Sequence, residues 1–182
     1  LMWAVINVSN EDALDLERFF SKYTSFLKDD TFEYYKTIQE TYSNVKVVCW
    51  EGKGFNYPAI NNFGVEVSNG EYLLFLNNDT EVVNEDWLEE LLGYGMREDV
   101  GAVGARLYFE DETIQHAGVI VGLGGVAGHG FLWCAKEDPG YFGRIHMAQN
   151  YSAVTAACVL IRKTVYSEVG GFDEKFAVAF ND

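Results

Sequence analysis

Short apolar runs alternate with helix-patterned segments along this chain. Residues 1–7 are mostly apolar, and Ser9-Asn10-Glu11-Asp12 then offers a capping box before apolar residues at helical spacing. Residues 45–50 and 71–76 form two more apolar runs, and each is followed by a helix-start signal. Three strand-then-helix units in succession predict an α/β sandwich with a mainly parallel central sheet.

Several helices have clear limits in the sequence. Asn56 can cap a helix that carries Pro58 in its first turn and closes at Gly70. Residues 84–86, Asn-Glu-Asp, start the next helix with acidic residues that suit the helix dipole. The remaining predicted elements are a short strand over 24–27, a helix capped by residues 29–31, strands over 100–107, 115–121 and 153–161, a flexible loop over 122–130, and a last helix ending at Gly170-Gly171.

Length and composition exclude several classes of protein. With 182 residues, 48% of them apolar, the chain can bury a core and is expected to form one domain over residues 1–182. No apolar run approaches the roughly 18 residues that span a bilayer. The formal charge of −15 would repel a phosphate backbone, which argues against nucleic acid as a partner. Cys49, Cys134 and Cys158 match neither a disulfide framework nor a zinc ribbon, so we interpret them as core residues in a reducing cytosol.

The polar segment Asn77-Asn78-Asp79-Thr80 directly follows the predicted strand 71–76. Ligands of open α/β sheets bind at the carboxyl ends of strands, where this segment is expected to lie. A carboxylate there can hold Mg²⁺ or Mn²⁺ while diphosphate oxygens and water complete the coordination, and Asp79 is the predicted ligand. Asn77 and Asn78 can orient Asp79, bind a sugar hydroxyl or contact metal-bound water. The same four residues are equally typical of a turn.

Several segments resemble one enzyme family when they are taken in order. GEYLLFLNNDTEV, followed by DWLEELL, is similar to the signature of family 2 glycosyltransferases of the GT-A fold, where a strand ends in a variant of the Asp-x-Asp metal motif. Residues 55–70 resemble that family's donor-side helix, and segments from 112 to 182 resemble a bacterial branch linked to cell-surface polysaccharide synthesis. The resemblance covers about residues 30–182. It implies a GT-A, Rossmann-like three-layer sandwich that is a fragment of a longer protein, cut short at the C-terminus.

The resemblance also implies a reaction. A sugar passes from a nucleoside-diphosphate-sugar donor to a hydroxyl of a saccharide or lipid-linked saccharide acceptor, with inversion at the anomeric carbon. The metal ion stabilises the departing diphosphate, and a carboxylate takes the proton of the acceptor. The residue that matches the family's base is Asp182, in Phe180-Asn181-Asp182. The expected location is the cytoplasm, including the inner face of the membrane.

On the donor side, the family holds the nucleobase with the loop after the first strand and an Asp after the second. The nearest matches are Ser9 with Asn10, and Asp30 or Asp29. The sequence departs from the family here, because the stretch before Asp30 is short and the usual Pro-x-x-Asn start is absent. Asn56 and Asn62 lie on the donor-side helix and can meet ribose or diphosphate, although a helix cap and a solvated helix face explain them equally well.

The glycine-rich stretch 122–130 invites a phosphate-loop interpretation, because glycines let backbone N–H groups approach an anion. It lacks the Gly-Lys-Ser/Thr ending of such loops, which favours a mobile flap near the acceptor. His116, His129 and His146 lack the compact spacing of a zinc site. His116 and His129 remain candidates for the acceptor side.

Two other functions fit parts of the pattern. A sugar nucleotidyltransferase would share the fold and the metal chemistry, but it would carry a basic, glycine-rich first loop, unlike residues 6–10 here. A non-catalytic module that binds a nucleotide-sugar without turnover is the other alternative, and the position of Asp182 at the last residue keeps it open.

Overall fold

The computed structural model of the chain describes residues 2–6, 31–50 and 55–177. The α-helices in these ranges are α1 (Thr31–Thr41), α2 (Tyr57–Val67), α3 (Trp87–Gly95) and α4 (Lys163–Glu168). Short 3₁₀ segments are formed by Leu123–Gly125 and Tyr141–His146. The strands are β1 (Met2–Ile6), β2 (Val45–Cys49), β3 (Tyr72–Leu76), β4 (Ala102–Gly104), β5 (Leu107–Tyr108), β6 (Ile114–His116), β7 (Val119–Val121), β8 (Ala127–His129) and β9 (Cys158–Arg162). None of the helices in this part of the chain is long and apolar enough to cross a bilayer.

Strand β9 lies at the centre of the main sheet, whose strand order is β3-β9-β4. It runs antiparallel to both neighbours, with Leu76 opposite Cys158 and Gly104 opposite Val159. Strands β1 and β2 are antiparallel as well, and so is every other strand pair in the described ranges. The predicted mainly parallel sheet is therefore not found among these residues.

The connection into β9 gives the physical reason. A parallel pair needs a crossover, usually a helix, that returns the chain to the end of the sheet where the first strand began. Residues 105–157 instead form hairpins and short turns, and they deliver the chain to the end where β3 finishes. There the N–H of Asn77 donates to the carbonyl of Ala157 at 2.9 Å.

Helices cover both faces of this sheet, as the predicted α/β sandwich requires. On one face, Phe75 and Val159 pack with Tyr166 of α4 and with residues of α2. On the other face, Cys158 and Leu160 pack against Leu91 of α3. Successive side chains of a strand point to opposite faces, so β9 contributes to both cores. Burial raises the pKa of the Cys158 thiol to about 11, which agrees with its interpretation as a core residue.

Most predicted helix limits agree with the structure, but α2 ends at Val67 with Ser68 as its C-cap, before the predicted Gly70. The side chain of Asn56 caps α2 by accepting a hydrogen bond from the N–H of Ala59 at 3.0 Å, and Pro58 lies in the first turn. Helix α3 begins at Trp87, directly after the predicted Asn-Glu-Asp start. After α4, Gly170 and Gly171 adopt φ angles of 85° and 77°, which end the helix as predicted.

Four predicted elements differ from the structure. Strand β9 begins only at Cys158, although the strand was predicted over 153–161. The strand expected over 115–121 divides at Gly118, whose φ is 99°, into β6 and β7, and the strand expected over 100–107 divides into β4 and β5. The predicted flexible loop 122–130 instead makes a turn and strand β8, which pairs with β7 through Val119 and His129. Positive φ angles at Gly122, Gly124 and Gly125 form the turn of this hairpin.

Candidate functional site

The Asn77-Asn78-Asp79-Thr80 segment forms a turn at the carboxyl end of β3. The hydroxyl of Thr80 donates to the carbonyl of Asn77 at 2.7 Å and closes this turn. Asn77 is half-buried, whereas Asn78 and Asp79 are exposed. The turn therefore holds a carboxylate and an amide at the end of the sheet, open to a ligand.

The oxygen atoms of this turn suit a hard cation. Carboxylate and amide oxygens are ligands that Mg²⁺ and Mn²⁺ accept, and Mg²⁺ in particular binds through one or two carboxylates together with phosphate oxygens and water. Within the described ranges, no group of three or more His, Cys, Asp or Glu side chains is arranged to hold a metal ion. Asp79 and Asn78 are the exposed residues of this turn that could hold such a cation.

A chain of hydrogen bonds leads from this turn to His116. Ala157, whose carbonyl accepts from Asn77, donates its own N–H to the hydroxyl of Thr155 at 3.4 Å. The N–H of Thr155 in turn donates to Nε2 of His116 at 3.5 Å. His116 is consequently tied to the strand end that carries Asp79.

His116 and His129 form a pair, although thirteen positions separate them. Their Nδ1 atoms lie 2.9 Å apart and their rings are nearly perpendicular, at 86°. His116 on β6 is only 1% exposed, whereas His129 on β8 is exposed. His146 lies apart from the pair, with its Nδ1 atom 3.2 Å from a guanidinium nitrogen of Arg106. Of the three histidines, the two that were candidates for the acceptor side are the two brought together.

Asn56 and Asn62 use their amide groups within the protein. Asn56 caps α2 and donates to the carbonyl of Glu174 at 3.0 Å. The carbonyl oxygen of Asn62 accepts from the Tyr166 hydroxyl at 2.5 Å and from the N–H of Phe172 at 3.1 Å. Its NH₂ group donates to the carbonyl of Phe172 and to the carboxylate of Glu174, both at 3.0 Å. These contacts support the helix-cap interpretation of Asn56, and through them both residues clamp the segment after α4. Their contacts with the nucleotide-sugar stay predictions.

Three predicted site residues lie outside the described ranges: Ser9, Asp30 and Asp182. The same holds for Asn10 and Asp29, the neighbours considered with them. Their roles in donor binding and in proton transfer stay predictions from the resemblance.

Thr155 and Tyr166 were missed as candidates. Thr155 was visible as a lone hydroxyl within the apolar run 153–161, and such a residue in a buried run is a signal for a specific hydrogen bond. Tyr166 gave no comparable signal, because its partner Asn62 is 104 positions away in the chain. Burial raises the pKa of the Tyr166 hydroxyl to about 12, so this group remains a hydrogen-bond donor at neutral pH.

Comparison with known proteins places these residues in context. The sequence model of the family described as "Glycosyl transferase family 2" matches residues 24–170. O-antigen biosynthesis protein RfbC of Myxococcus xanthus is 51% identical over 130 residues, which are 70% of this chain and 10% of that protein. Uncharacterized protein y4gI of Sinorhizobium fredii is 47% identical over 154 residues, which are 84% of this chain and 17% of that protein. The chain thus spans less than a fifth of either relative. No solved structure matches it.

Proposed function

The chain belongs to glycosyl transferase family 2, and we propose that it transfers a sugar from a nucleoside-diphosphate-sugar to a hydroxyl of a saccharide or lipid-linked saccharide, with inversion and with the help of Mn²⁺ or Mg²⁺. The observation that carries the proposal is the exposed Asp79 in the turn at the end of β3, within the segment that the family matches. The name of the Myxococcus xanthus relative, O-antigen biosynthesis protein RfbC, supports a saccharide acceptor.

Charge supports the involvement of a cation. The chain has a formal charge of −15, so it repels an anionic diphosphate unless positive charge is supplied locally. A bound Mg²⁺ or Mn²⁺ supplies Lewis acidity and offsets the negative charge that develops on the leaving diphosphate. Asp79 holds the cation, while Asn77 and Asn78 orient that carboxylate or bind a donor hydroxyl.

The remaining chemistry falls to residues predicted from the family resemblance. Asp182 accepts the proton of the acceptor hydroxyl as its oxygen bonds to the anomeric carbon, while the bond from that carbon to the diphosphate oxygen breaks. Attack opposite the leaving group inverts the anomeric centre. Ser9 and Asp30 hold the nucleotide. The free thiols of Cys134 and Cys158 support a cytoplasmic location, as part of the same proposal.

Replacing Asp79 tests the cation site. We expect calorimetry with Mn²⁺ and a panel of UDP-, GDP-, CDP- and dTDP-linked sugars to give a metal-dependent binder for the unmodified protein. Asp79→Ala should weaken that binding about tenfold or more, since a direct cation ligand is lost. Asp99→Ala is the matched control, because Asp99 pairs with Arg97 on the surface, away from the turn. No binding to any member of the panel would contradict the whole proposal.

Replacing Asp182 separates transfer from donor binding. In the full-length protein, Asp182→Asn should leave donor affinity unchanged and lower the rate of transfer by roughly 10²–10⁴, the usual contribution of a general base. Undiminished transfer in this variant would remove Asp182 from the base role. Donor binding without any transfer in the unmodified full-length protein would instead favour the non-catalytic module.

A further inference from the structure

We propose that His129 presents its Nε2–H group as a fixed hydrogen-bond donor to a hydroxyl oxygen of the saccharide acceptor, and that His116 is the positioning residue that fixes this tautomer. The inference deepens the proposed function and rests on it. It starts from the paired rings on β6 and β8, whose Nδ1 atoms are 2.9 Å apart.

The proton positions follow from the donors around His116. Its Nε2 atom faces two backbone N–H groups, that of Gly118 at 3.3 Å and that of Thr155 at 3.5 Å. A nitrogen that accepts from N–H groups carries no proton, so the proton of the neutral ring is on Nδ1. The Nδ1–H group of His116 then donates to His129, whose Nδ1 atom must accept. The proton of the His129 ring is therefore on Nε2.

In this tautomer the outer Nε2 atom of His129 carries the N–H group, and such a group can donate to the oxygen of a sugar hydroxyl. Phosphate oxygens are bound best by charge-assisted donors such as Arg and Lys. The pair thus suits a sugar hydroxyl better than the diphosphate.

The location of the pair fits the acceptor. Hydrogen bonds through Thr155 and Ala157 connect His116 to Asn77, so the pair belongs to the same end of the sheet as Asp79. His116 is buried and His129 is exposed, which leaves the outer ring open to a ligand while the inner ring is held.

Gly118 fixes the backbone next to the pair. Its φ is 99°, and a Cβ atom there would lie 2.3 Å from the ring of Tyr151, so that a side chain has no room. The N–H of Gly118 is one of the two groups that set the tautomer of His116. An N–H group that is held by such a rigid arrangement loses little conformational entropy when the acceptor binds to it.

Kinetics of the full-length protein test the role of His129. His129→Phe keeps a ring but lacks the N–H, and we expect it to raise the acceptor KM about tenfold, the equivalent of one hydrogen bond. The KM for the donor and the rate of donor hydrolysis without acceptor should not change. His129→Gln, whose amide restores an N–H donor, should recover most of the acceptor affinity. His146→Phe is the matched control, since this exposed histidine lies outside the pair.

Two variants of His116 test its positioning role. His116→Asn places an amide NH₂ near the position of Nδ1, and it should keep an acceptor KM close to that of the unmodified protein. His116→Leu removes the Nδ1–H group that donates to His129, and it should raise the acceptor KM as much as His129→Phe does. Thermal melting of both variants separates a loss of fold from a loss of positioning.

Nitrogen NMR of the histidines gives a readout that does not need activity. In the 182-residue chain, we expect protonated Nδ1 in His116 and protonated Nε2 in His129, and the opposite tautomers would overturn the inference. An unchanged acceptor KM in His129→Phe would overturn it too. So would a fall in the rate of donor hydrolysis as large as the rise in the acceptor KM. Failure of the proposed function is distinct, because it appears as absent donor binding in the unmodified protein.

Discussion

Asn62 holds the segment after α4 through both ends of its amide. The oxygen accepts from Tyr166 and Phe172, and the NH₂ group donates to Phe172 and Glu174. With every hydrogen-bonding atom of a half-buried amide engaged, a change in any partner leaves a polar group unsatisfied, and this costs about 1–3 kcal/mol. The clamp therefore depends on its neighbours keeping their positions.

Gly171 lies directly against the amide of Asn62. Its φ is 77°, and a Cβ atom would lie 2.7 Å from the Asn62 oxygen. We expect Gly171→Ala to lower the free energy of unfolding by about 2–4 kcal/mol, through backbone strain and displacement of the amide. The measurement is urea denaturation followed by circular dichroism.

Gly170→Ala provides the control for that change. Gly170 has a φ of 85°, but a Cβ atom there meets nothing within 4 Å. Its substitution should cost only the strain of the left-handed backbone, about 1 kcal/mol. Equal losses in the two variants would show that the contact with Asn62 contributes nothing.

Local signals predicted some of these residues and missed others. The cap formed by Asn56 was predictable, because its acceptor and the Ala59 N–H are three positions apart. The clamp formed by Asn62 was not, because its partners lie more than a hundred positions away and no sequence period links them. Asp79 was identified by its position after an apolar strand and by the resemblance of the surrounding segments, and its role stays a prediction.

Asn56, the cap of helix α2, also makes a hydrogen bond to a residue that is distant in the chain. Asn56 accepts from Ala59 inside the helix and donates to the carbonyl of Glu174 outside it. The N–H of Tyr57 adds a bond to the carbonyl of Ala177 at 3.2 Å. The start of this helix is thus fastened to the chain segment that leads toward the predicted base.

Two substitutions of Asn56 separate the contribution of the helix cap from that of the hydrogen bond to Glu174. Asn56→Asp keeps the cap acceptor and adds a negative charge at a helix start that has none in its first turn, so it should cost less than about 1 kcal/mol. Asn56→Ala loses the cap as well, and it should cost about 1–2 kcal/mol. Thermal unfolding of both proteins gives the comparison, and a less stable Asp variant would mean that the bond to Glu174 dominates.

Element boundaries were predictable where caps and apolar runs coincide, as for the start of α2 and for β3. They were not predictable between residues 100 and 130, where two expected strands divide and an expected loop becomes a hairpin. The division at Gly118 follows from its packing against Tyr151, a tertiary contact that hydrophobic periodicity does not report. The direction of β9 was missed for a similar reason, because the long connection before it contains no crossover helix.

At the scale of the molecule, the net negative charge lowers the stability of the compact folded state. The chain has a formal charge of −15. Its ion pairs between Arg97 and Asp99 and between Lys136 and Glu112 are largely exposed and contribute little to stability. Self-repulsion of this kind destabilises a folded state, and dissolved salt screens it.

Added NaCl should therefore stabilise the protein at neutral pH. We expect Tm to rise by roughly 2–4 °C in about 0.5 M NaCl, the shift that about 1 kcal/mol produces in a chain of this size. The control is the same titration near the sequence pI of about 4.5, where the net charge vanishes and the rise should disappear. A Tm that falls with salt at neutral pH would mean that attractive charge pairs outweigh the repulsion.

The central position of β9 has a consequence for protein synthesis. Within the described residues, β3 and β4 each pair only with β9, which follows both of them in the chain. As the ribosome releases the polypeptide from its N-terminus, β3 and β4 emerge with unpaired edges, the kind of exposed strand that chaperones protect. The turn that carries Asp79 has its anchor at Ala157, just before β9. In a nascent chain, the hydrogen bond that anchors this turn can therefore form only after Ala157 has been synthesised.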